Sequence, residues 1–204
     1  MVSEQRIEQL TDNCVRRTVE LLSIDSPSGY TRQAAEHVAE AYRTMGLRPE
    51  MTRKGGVLVC LNPEAPAEDA LLLEAHLDTL GAMVAEISGS GRLHLTPLGG
   101  MEPNNGEGEN VRIVTRTGKI YTGTFQMKNA SVHVNGDYHT AKREYKTMEA
   151  VIDEEVSCRE DVENLGILPG DIVCFEPRTV AVSYAPLRAP APRPGVVGRR
   201  RRDE

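Results

Sequence analysis

The sequence predicts an α/β segment at the start of the chain, followed by a small β-barrel. Two helical patterns and two short, continuous apolar runs lie within residues 1–79. From Gly81 onward, short strand-like segments alternate with clusters of Gly, Asn and Ser, which is typical of a small barrel or sandwich. We expect three parts: residues 1–79, residues 80–183, and a Pro- and Arg-rich tail over 184–204 that should be disordered.

The first elements are two amphipathic helices. Over Glu4 to Leu22, apolar residues recur at spacings of three and four, so they share one face that should pack on a sheet. Pro27 and Gly29 then favour a loop. A second helix should begin near Thr31, and Gly46 stands where a C-cap glycine would end it.

Two apolar runs after the helices predict buried strands. The run from Val57 to Leu61 is short and β-branched, and the run from Ala70 to Leu73 is continuously apolar. Because such runs pack on both faces, we expect them in a sheet that helices cover.

Seven further runs and one short helix should build the β module. The Ser157-x-x-Glu160 pattern is that of a capping box and predicts a helix that continues to Leu165. The predicted strands are Ala82–Ile87, Arg92–Leu95, Val111–Thr115, Lys119–Gln126, Met148–Asp153, Ile172–Phe175 and Thr179–Val182.

Composition and charge exclude several classes of protein. The net charge of -6 argues against general nucleic-acid binding, which depends on a basic surface, and the basic run Arg199–Arg202 is a small exception in the tail. No apolar run approaches the roughly 18 residues of a membrane helix, and the N-terminus lacks a signal-peptide layout, so we expect a cytoplasmic protein. The cysteines form no C-x-x-C pair and should be reduced structural thiols: Cys14, Cys60, Cys158 and Cys174.

His76 and Asp78 form the constellation that points most directly to chemistry. They flank Leu77 after an apolar run, so on a strand both side chains would point to one face at the C-terminal edge of a sheet. A neutral imidazole is a good zinc ligand, and a carboxylate near its other nitrogen fixes the tautomer. Alone, His-x-Asp is a weak signal, and a solvated His beside an Asp is the competing interpretation.

Other candidates carry less chemistry. Ser26 and Ser28 lie in no G-x-S-x-G elbow, which favours a loop role over a nucleophilic one. The remaining histidines have no metal-ligand spacing and should be surface or interface residues: His37, His94, His133 and His139.

The surroundings of His76 resemble a known family. Residues Leu71 to Ile87, LLLEAHLDTLGAMVAEI, are similar to the metal-site signature of the glutamyl aminopeptidase and tetrahedral aminopeptidase family of two-metal metallopeptidases, which are also labelled endoglucanase-like. Residues Val151 to Pro177, VIDEEVSCREDVENLGILPGDIVCFEP, resemble the end of that family's inserted β domain. The loops Ser26–Gly29 and Gly99–Gly100 also match, so the resemblance covers roughly residues 1 to 183.

The resemblance implies a fold and a site. Residues 1–79 would be the first half of a zinc-peptidase-like α/β catalytic domain, and the following barrel would be an inserted domain that serves homo-oligomerisation. His76 would ligate one of two divalent metal ions, zinc or cobalt, and Asp78 would be the catalytic residue that orients it. In such enzymes the metals activate a water that attacks the N-terminal peptide bond, so the implied substrates are peptides.

The sequence departs from this family after the barrel. No Arg-x-Leu-Asp-Asp motif, Glu-Glu pair, further acidic ligand or late His follows there, and Asp203–Glu204 have no strand to position them. We therefore expect a truncated or frameshifted chain that binds at most one metal ion weakly and is inactive.

Three interpretations stay open. The chain is a metal-dependent aminopeptidase family member that releases N-terminal amino acids, a catalytically dead remnant of one, or a non-enzymatic oligomerisation module. A glycosidase is disfavoured because no carboxylates are paired as that chemistry needs.

Overall fold

The computed structural model describes residues 3–66 and 70–181. The chain divides into two compact units, one containing the helix α1 (Glu4–Leu22) and the other comprising Asp25–Glu176. The predicted tail over 184–204, with its arginine run and terminal acidic pair, lies outside the described residues. The predicted division at residues 79 and 183 stays a prediction.

Helix α1 begins and ends where its periodicity predicts. Ser3 is the N-cap residue, and its hydroxyl accepts a hydrogen bond from the backbone N–H of Arg6 at 3.3 Å. None of the helix's residues is buried, and Ile7 is 55% exposed. The packing of its apolar face on a sheet stays a prediction, because periodicity fixes which face is apolar but not what covers it.

The second helix, α2 (Arg32–Thr44), confirms its prediction more fully. It buries Ala34, Ala35 and Ala39, whose small side chains allow a close approach of neighbouring backbone. The helix ends before Gly46, which adopts a φ of 81° that glycine tolerates without strain.

The two predicted buried strands of the α/β half are not found. Val57–Leu58 forms only a two-residue strand, β2, in a hairpin with β1 (Glu50–Met51), and Leu58 is 52% exposed. Ala70 to Leu73 forms no strand, and its leucines are 72–82% exposed. Strand formation depends on a pairing partner, and no strand of the described chain pairs with this run.

The β module is a closed six-stranded barrel, as the spacing of its segments predicts. All neighbouring strands are antiparallel, and the order around the barrel is β3-β4-β7-β6-β5-β8, with β8 returning to β3. The strands are β3 (Gly81–Ile87), β4 (Leu93–Leu98), β5 (Asn110–Val114), β6 (Ile120–Met127), β7 (Met148–Ile152) and β8 (Ile172–Phe175).

The interior of the barrel holds the main hydrophobic core. Phe125 lies at its centre, with its ring edge-on to Phe175 at 5.7 Å and tilted against Tyr145 at 6.1 Å. Apolar residues of every strand meet around it, and α3 (Arg159–Asn164) adds Val162. This core holds most of the buried apolar residues of the Asp25–Glu176 unit.

Two local predictions in the barrel are wrong by small margins. The N-cap of α3 is Cys158 rather than Ser157. The Asp161 carboxylate accepts a hydrogen bond from the backbone N–H of Cys158 at 3.1 Å and from the backbone N–H of Ser157 at 2.8 Å. It also accepts one from the Ser157 hydroxyl. The last predicted strand, Thr179–Val182, is not a strand over its described residues 179–181. Six strands already close the barrel, so no seventh position exists.

The ion pair between Arg143 and Glu107 should make the free energy of unfolding depend on pH. Arg143 Nε donates to Glu107 Oε2 at 2.8 Å and Nη2 donates to Oε1 at 3.2 Å. These hydrogen bonds and the guanidinium charge hold the pKa of Glu107 below its ordinary value of 4.5. A lowered carboxyl pKa stabilises the fold above the unfolded-state pKa, and this contribution is lost as pH falls through the folded-state pKa.

We therefore expect Glu107→Gln to lower the melting temperature near neutral pH. The gap between wild type and variant should close as the pH is taken below the ordinary value of 4.5, because the wild-type carboxyl then becomes neutral too. Circular dichroism melts over a pH series measure this. A gap of constant size at every pH would contradict the role of the charge.

Candidate functional site

Two short segments that carry the candidate residues lie side by side. A parallel bridge joins Pro27 to Thr79, and the Thr79 N–H donates to the carbonyl of Ser26 at 2.7 Å. The Ser26 hydroxyl donates to the carbonyl of Leu77 at 3.0 Å. The segment Ser26–Ser28, here called the serine loop, therefore fixes the backbone that follows His76.

His76 and Asp78 come together as the sequence predicts, but by a different route. The predicted strand is absent, so alternation on a strand does not align them. Instead, His76 Nδ1 lies 2.9 Å from the Asp78 carbonyl oxygen and 3.1 Å from Oδ1 of the same residue. Both oxygens are acceptors, which assigns the imidazole proton to Nδ1 and leaves the lone pair on Nε2. The side chain is 85% exposed, so Nε2 is open to solvent.

Ser28 completes this arrangement from the opposite side. Its hydroxyl donates to Asp78 Oδ2 at 2.5 Å. This hydrogen bond is the largest influence that lowers the pKa of Asp78, and the hydrogen bond from His76 acts in the same direction. Asp78 is therefore held as a carboxylate, with one oxygen on Ser28 and the other on His76. The sequence predicts a loop role for Ser28, and no local pattern marks its contact with a residue 50 positions later.

The serine loop is packed tightly against the start of the barrel. Pro27 is among the fully buried residues. A Cβ added to Gly81 would lie 2.6 Å from Pro27 Cγ, closer than real side chains approach, so Gly81 makes room for the proline. The position of the loop thus depends on the wall of the barrel.

The described residues do not complete a two-metal centre. Within residues 3–66 and 70–181, no group of three or more His, Cys, Asp or Glu side chains could hold a metal ion. His76 offers one nitrogen, and both oxygens of Asp78 already accept hydrogen bonds. A zinc site takes about four ligands and a two-metal site more, whereas these residues offer one open imidazole nitrogen with a carboxylate beside it. No catalytic step through a metal follows from them alone.

The other histidines and the cysteines form no second site among the described residues. His94 lies 3.7 Å from Glu86, and His133 and His139 lie on exposed loops of the barrel. All four cysteines are free thiols, as predicted. None of the described helices is both long and apolar enough to cross a membrane.

The chain is similar in sequence to known aminopeptidases. The chain is 42% identical over 173 residues to YhfE of Bacillus subtilis (strain 168), a protein named as a candidate aminopeptidase, and covers 50% of it with 83% of its own length. It is 25% identical over 163 residues to the lysyl aminopeptidase of Pyrococcus furiosus, covering 45% of that protein with 78% of itself. The chain thus spans about half the length of these curated relatives.

Solved structures show the same fold. The aminopeptidase APDkam598 from the archaeon Desulfurococcus kamchatkensis matches 82% of this chain, and 44% of its own, with a TM-score of 0.69 at 26% identity. The Pyrococcus horikoshii TET1 peptidase, described as assembling into a tetrahedron or a large octahedral shell, matches 79% of this chain and 46% of its own with a TM-score of 0.65 at 22% identity. A profile of the M42 glutamyl aminopeptidase family matches residues 55–189, which is most of the chain. The chain therefore belongs to the M42 glutamyl aminopeptidase family.

Proposed function

We propose that this chain carries one metal-ligating position of a metal-dependent aminopeptidase, together with its barrel. The observation that supports this most directly is the hydrogen-bonded series Ser28, Asp78 and His76, which ends in an open imidazole nitrogen. Family membership supplies the reaction: release of N-terminal amino acids from peptide substrates.

Each residue of this series has a distinct part in holding a divalent ion such as zinc or cobalt. His76 is the ligand, through Nε2. Asp78 keeps the proton on Nδ1 and makes the imidazole more basic, as carboxylates behind metal-bound histidines do. Ser28 holds Asp78 at the correct angle. The further acidic ligands and the general base that hydrolysis needs are not among the described residues.

We therefore expect the purified chain to bind one divalent ion weakly and to lack turnover. With Co²⁺ as probe, calorimetry should give a dissociation constant weaker than that of a structural zinc site, because one imidazole supplies far fewer contacts than about four ligands. His76→Ala should abolish the binding heat. In parallel, aminoacyl p-nitroanilides with added zinc or cobalt should show no hydrolysis.

The matched control is His94→Ala, because His94 also neighbours a carboxylate but lies on barrel strand β4. Its binding heat should equal that of wild type. Metal-dependent hydrolysis that His76→Ala abolishes would overturn the inactive assignment and show that ligands come from residues outside the described ranges. Co²⁺ binding that His76→Ala leaves intact would overturn the assignment of the ligand.

A second candidate role is that of a non-enzymatic module that self-associates through the barrel. Its support is the closed barrel, which is complete within Asp25–Glu176, and the shell assembly named for the TET1 peptidase. Light scattering on the same preparation measures the mass of the particles in solution. A mass greater than that of one chain is the result expected for this role. A cytoplasmic location, which the sequence favours, is part of the proposal for both roles.

A further inference from the structure

The residue that precedes the serine loop is held by an arginine of the barrel. Arg112 lies on β5, and its Nη2 donates to Asp25 Oδ1 at 2.5 Å. The two side chains are 22% and 19% exposed, so solvent screens this pair less than a surface ion pair. Arg112 Nε also lies 3.5 Å from Oε2 of Glu176, the residue that follows β8.

Arg112 compensates the negative charge of Asp25, whose other titratable neighbours are neutral. Cys174 lies opposite Arg112 in the β5–β8 register, and burial, followed by the charge of Asp25, raises the pKa of Cys174 to about 12. Burial raises the pKa of Tyr30 as well, and Cys174 and Asp25 contribute. Both groups therefore stay neutral, and Arg112 is the cation that the described structure places against the carboxylate. Removing it would leave a shielded, uncompensated charge, which is costly.

The serine loop thus has two anchors on the barrel and three hydrogen bonds on its other side. The anchors are the ion pair of Asp25 with Arg112 and the contact of Pro27 with Gly81. The hydrogen bonds run from the loop to residues 77, 78 and 79. The loop is therefore a physical connection between the barrel wall and the candidate ligand.

From this connection we infer that Arg112 is a positioning residue for His76, acting through Asp25, Ser28 and Asp78. The role of His76 as a metal ligand rests on the proposed function, whereas the contacts that connect Arg112 to His76 do not depend on it. If Asp25 is released, the loop loses its anchor and Ser28 no longer meets Asp78 Oδ2 at 2.5 Å. Asp78 is then free to rotate, and the backbone that Ser26 holds at residues 77 and 79 is released as well. The side-chain and carbonyl oxygens of Asp78 that accept from Nδ1 therefore both lose their fixed positions.

The test compares Arg112→Met with wild type by two readouts. Imidazole ¹⁵N shifts at about pH 8, where imidazoles are neutral, report the tautomer of His76. Wild type should show one tautomer with the proton on Nδ1, and the variant should show a mixture. The Co²⁺ dissociation constant should rise about tenfold, as for the loss of other partners behind a metal-bound histidine.

The matched control is Arg116→Met. Arg116 follows β5 on the same chain segment and also faces an aspartate, Asp171 at 3.7 Å, but it contacts Pro169 rather than the serine loop. Its tautomer ratio and Co²⁺ affinity should match wild type. Ser28→Ala is the positive control for loss of the side-chain contact to Asp78, and it should shift the tautomer ratio in the same direction as Arg112→Met. If Arg112→Met does not fold, Asp25→Asn, which keeps the shape and removes the charge, replaces it.

The outcomes separate this inference from the proposed function. An unchanged tautomer ratio in Arg112→Met or Asp25→Asn, with Ser28→Ala shifted, would overturn the inference while leaving the metal site intact. A wild-type His76 that already populates both tautomers, or a Ser28→Ala variant without a shift, would overturn it as well. Absence of Co²⁺ binding to wild type would overturn the proposed function, and the tautomer readout would still decide the inference.

Discussion

Gly123→Ala should destabilise the barrel strongly, because the added methyl group would meet backbone atoms of a neighbouring strand. Gly123 lies in the middle of β6, between β5 and β7, opposite Val111 and Ile152. A Cβ there would lie 2.4 Å from the carbonyl oxygen of Val151 and 3.0 Å from Ile152 Cα. These are backbone atoms of a paired strand, so no side-chain rotation relieves the clash. We expect a loss of about 3 kcal/mol or more in the free energy of unfolding.

Urea denaturation followed by far-UV circular dichroism and tyrosine fluorescence measures this loss, since the chain has no Trp. Gly89→Ala is the matched control, because Gly89 lies in the same barrel and an added Cβ would meet no heavy atom within 4 Å. Its effect should stay within about 0.5 kcal/mol. Equal midpoints for the two variants would show that β6 and β7 do not pair in the register described.

Phe125→Ala should have the second large effect, through the opposite mechanism of a cavity. The Phe125 ring is fully buried among the core residues and contacts the rings of Phe175 and Tyr145. Truncation removes its buried apolar surface and leaves a cavity that a closed barrel cannot collapse to fill. Such substitutions cost about 3–5 kcal/mol.

The same denaturation experiment measures this cost, with Ile120→Ala as its control. Ile120 lies on the same strand but is 57% exposed, so its truncation should cost less than about 1 kcal/mol. A Phe125→Ala variant as stable as Ile120→Ala would mean that the core is not packed around this ring.

The sequence predicts the barrel well because its strands pair with neighbours that are themselves in the chain. Alternating apolar residues and turn-forming clusters locate β3 to β8 to within a few residues, and the helices α1 and α2 follow from their periodicity. The runs at Val57–Leu61 and Ala70–Leu73 fail for the same physical reason. An apolar run becomes a strand only when a partner accepts its hydrogen bonds, and the run alone carries no information about that partner.

The candidate site is predictable only in part. His76 and Asp78 are two residues apart, so local spacing was enough to bring them together in the prediction. Ser28 and Arg112 reach the site through contacts across 50 and 87 residues, and no local pattern reports such contacts.

The shift of the α3 cap from Ser157 to Cys158 has a different cause. Asp161, and not Glu160, accepts the backbone N–H groups there, and sequence spacing does not decide between the two carboxylates.

The closure of the barrel by β3 and β8 has a topological consequence. Ala82 faces Val173 and Met83 faces Ile172 in antiparallel register, so the path of the chain enters and leaves the barrel at neighbouring points. Antiparallel partners have Cα atoms about 5 Å apart, a gap that a tight turn can span. Any segment that joins the barrel to the rest of the chain therefore starts and ends at one place on the barrel wall, and neither connection has to cross the barrel.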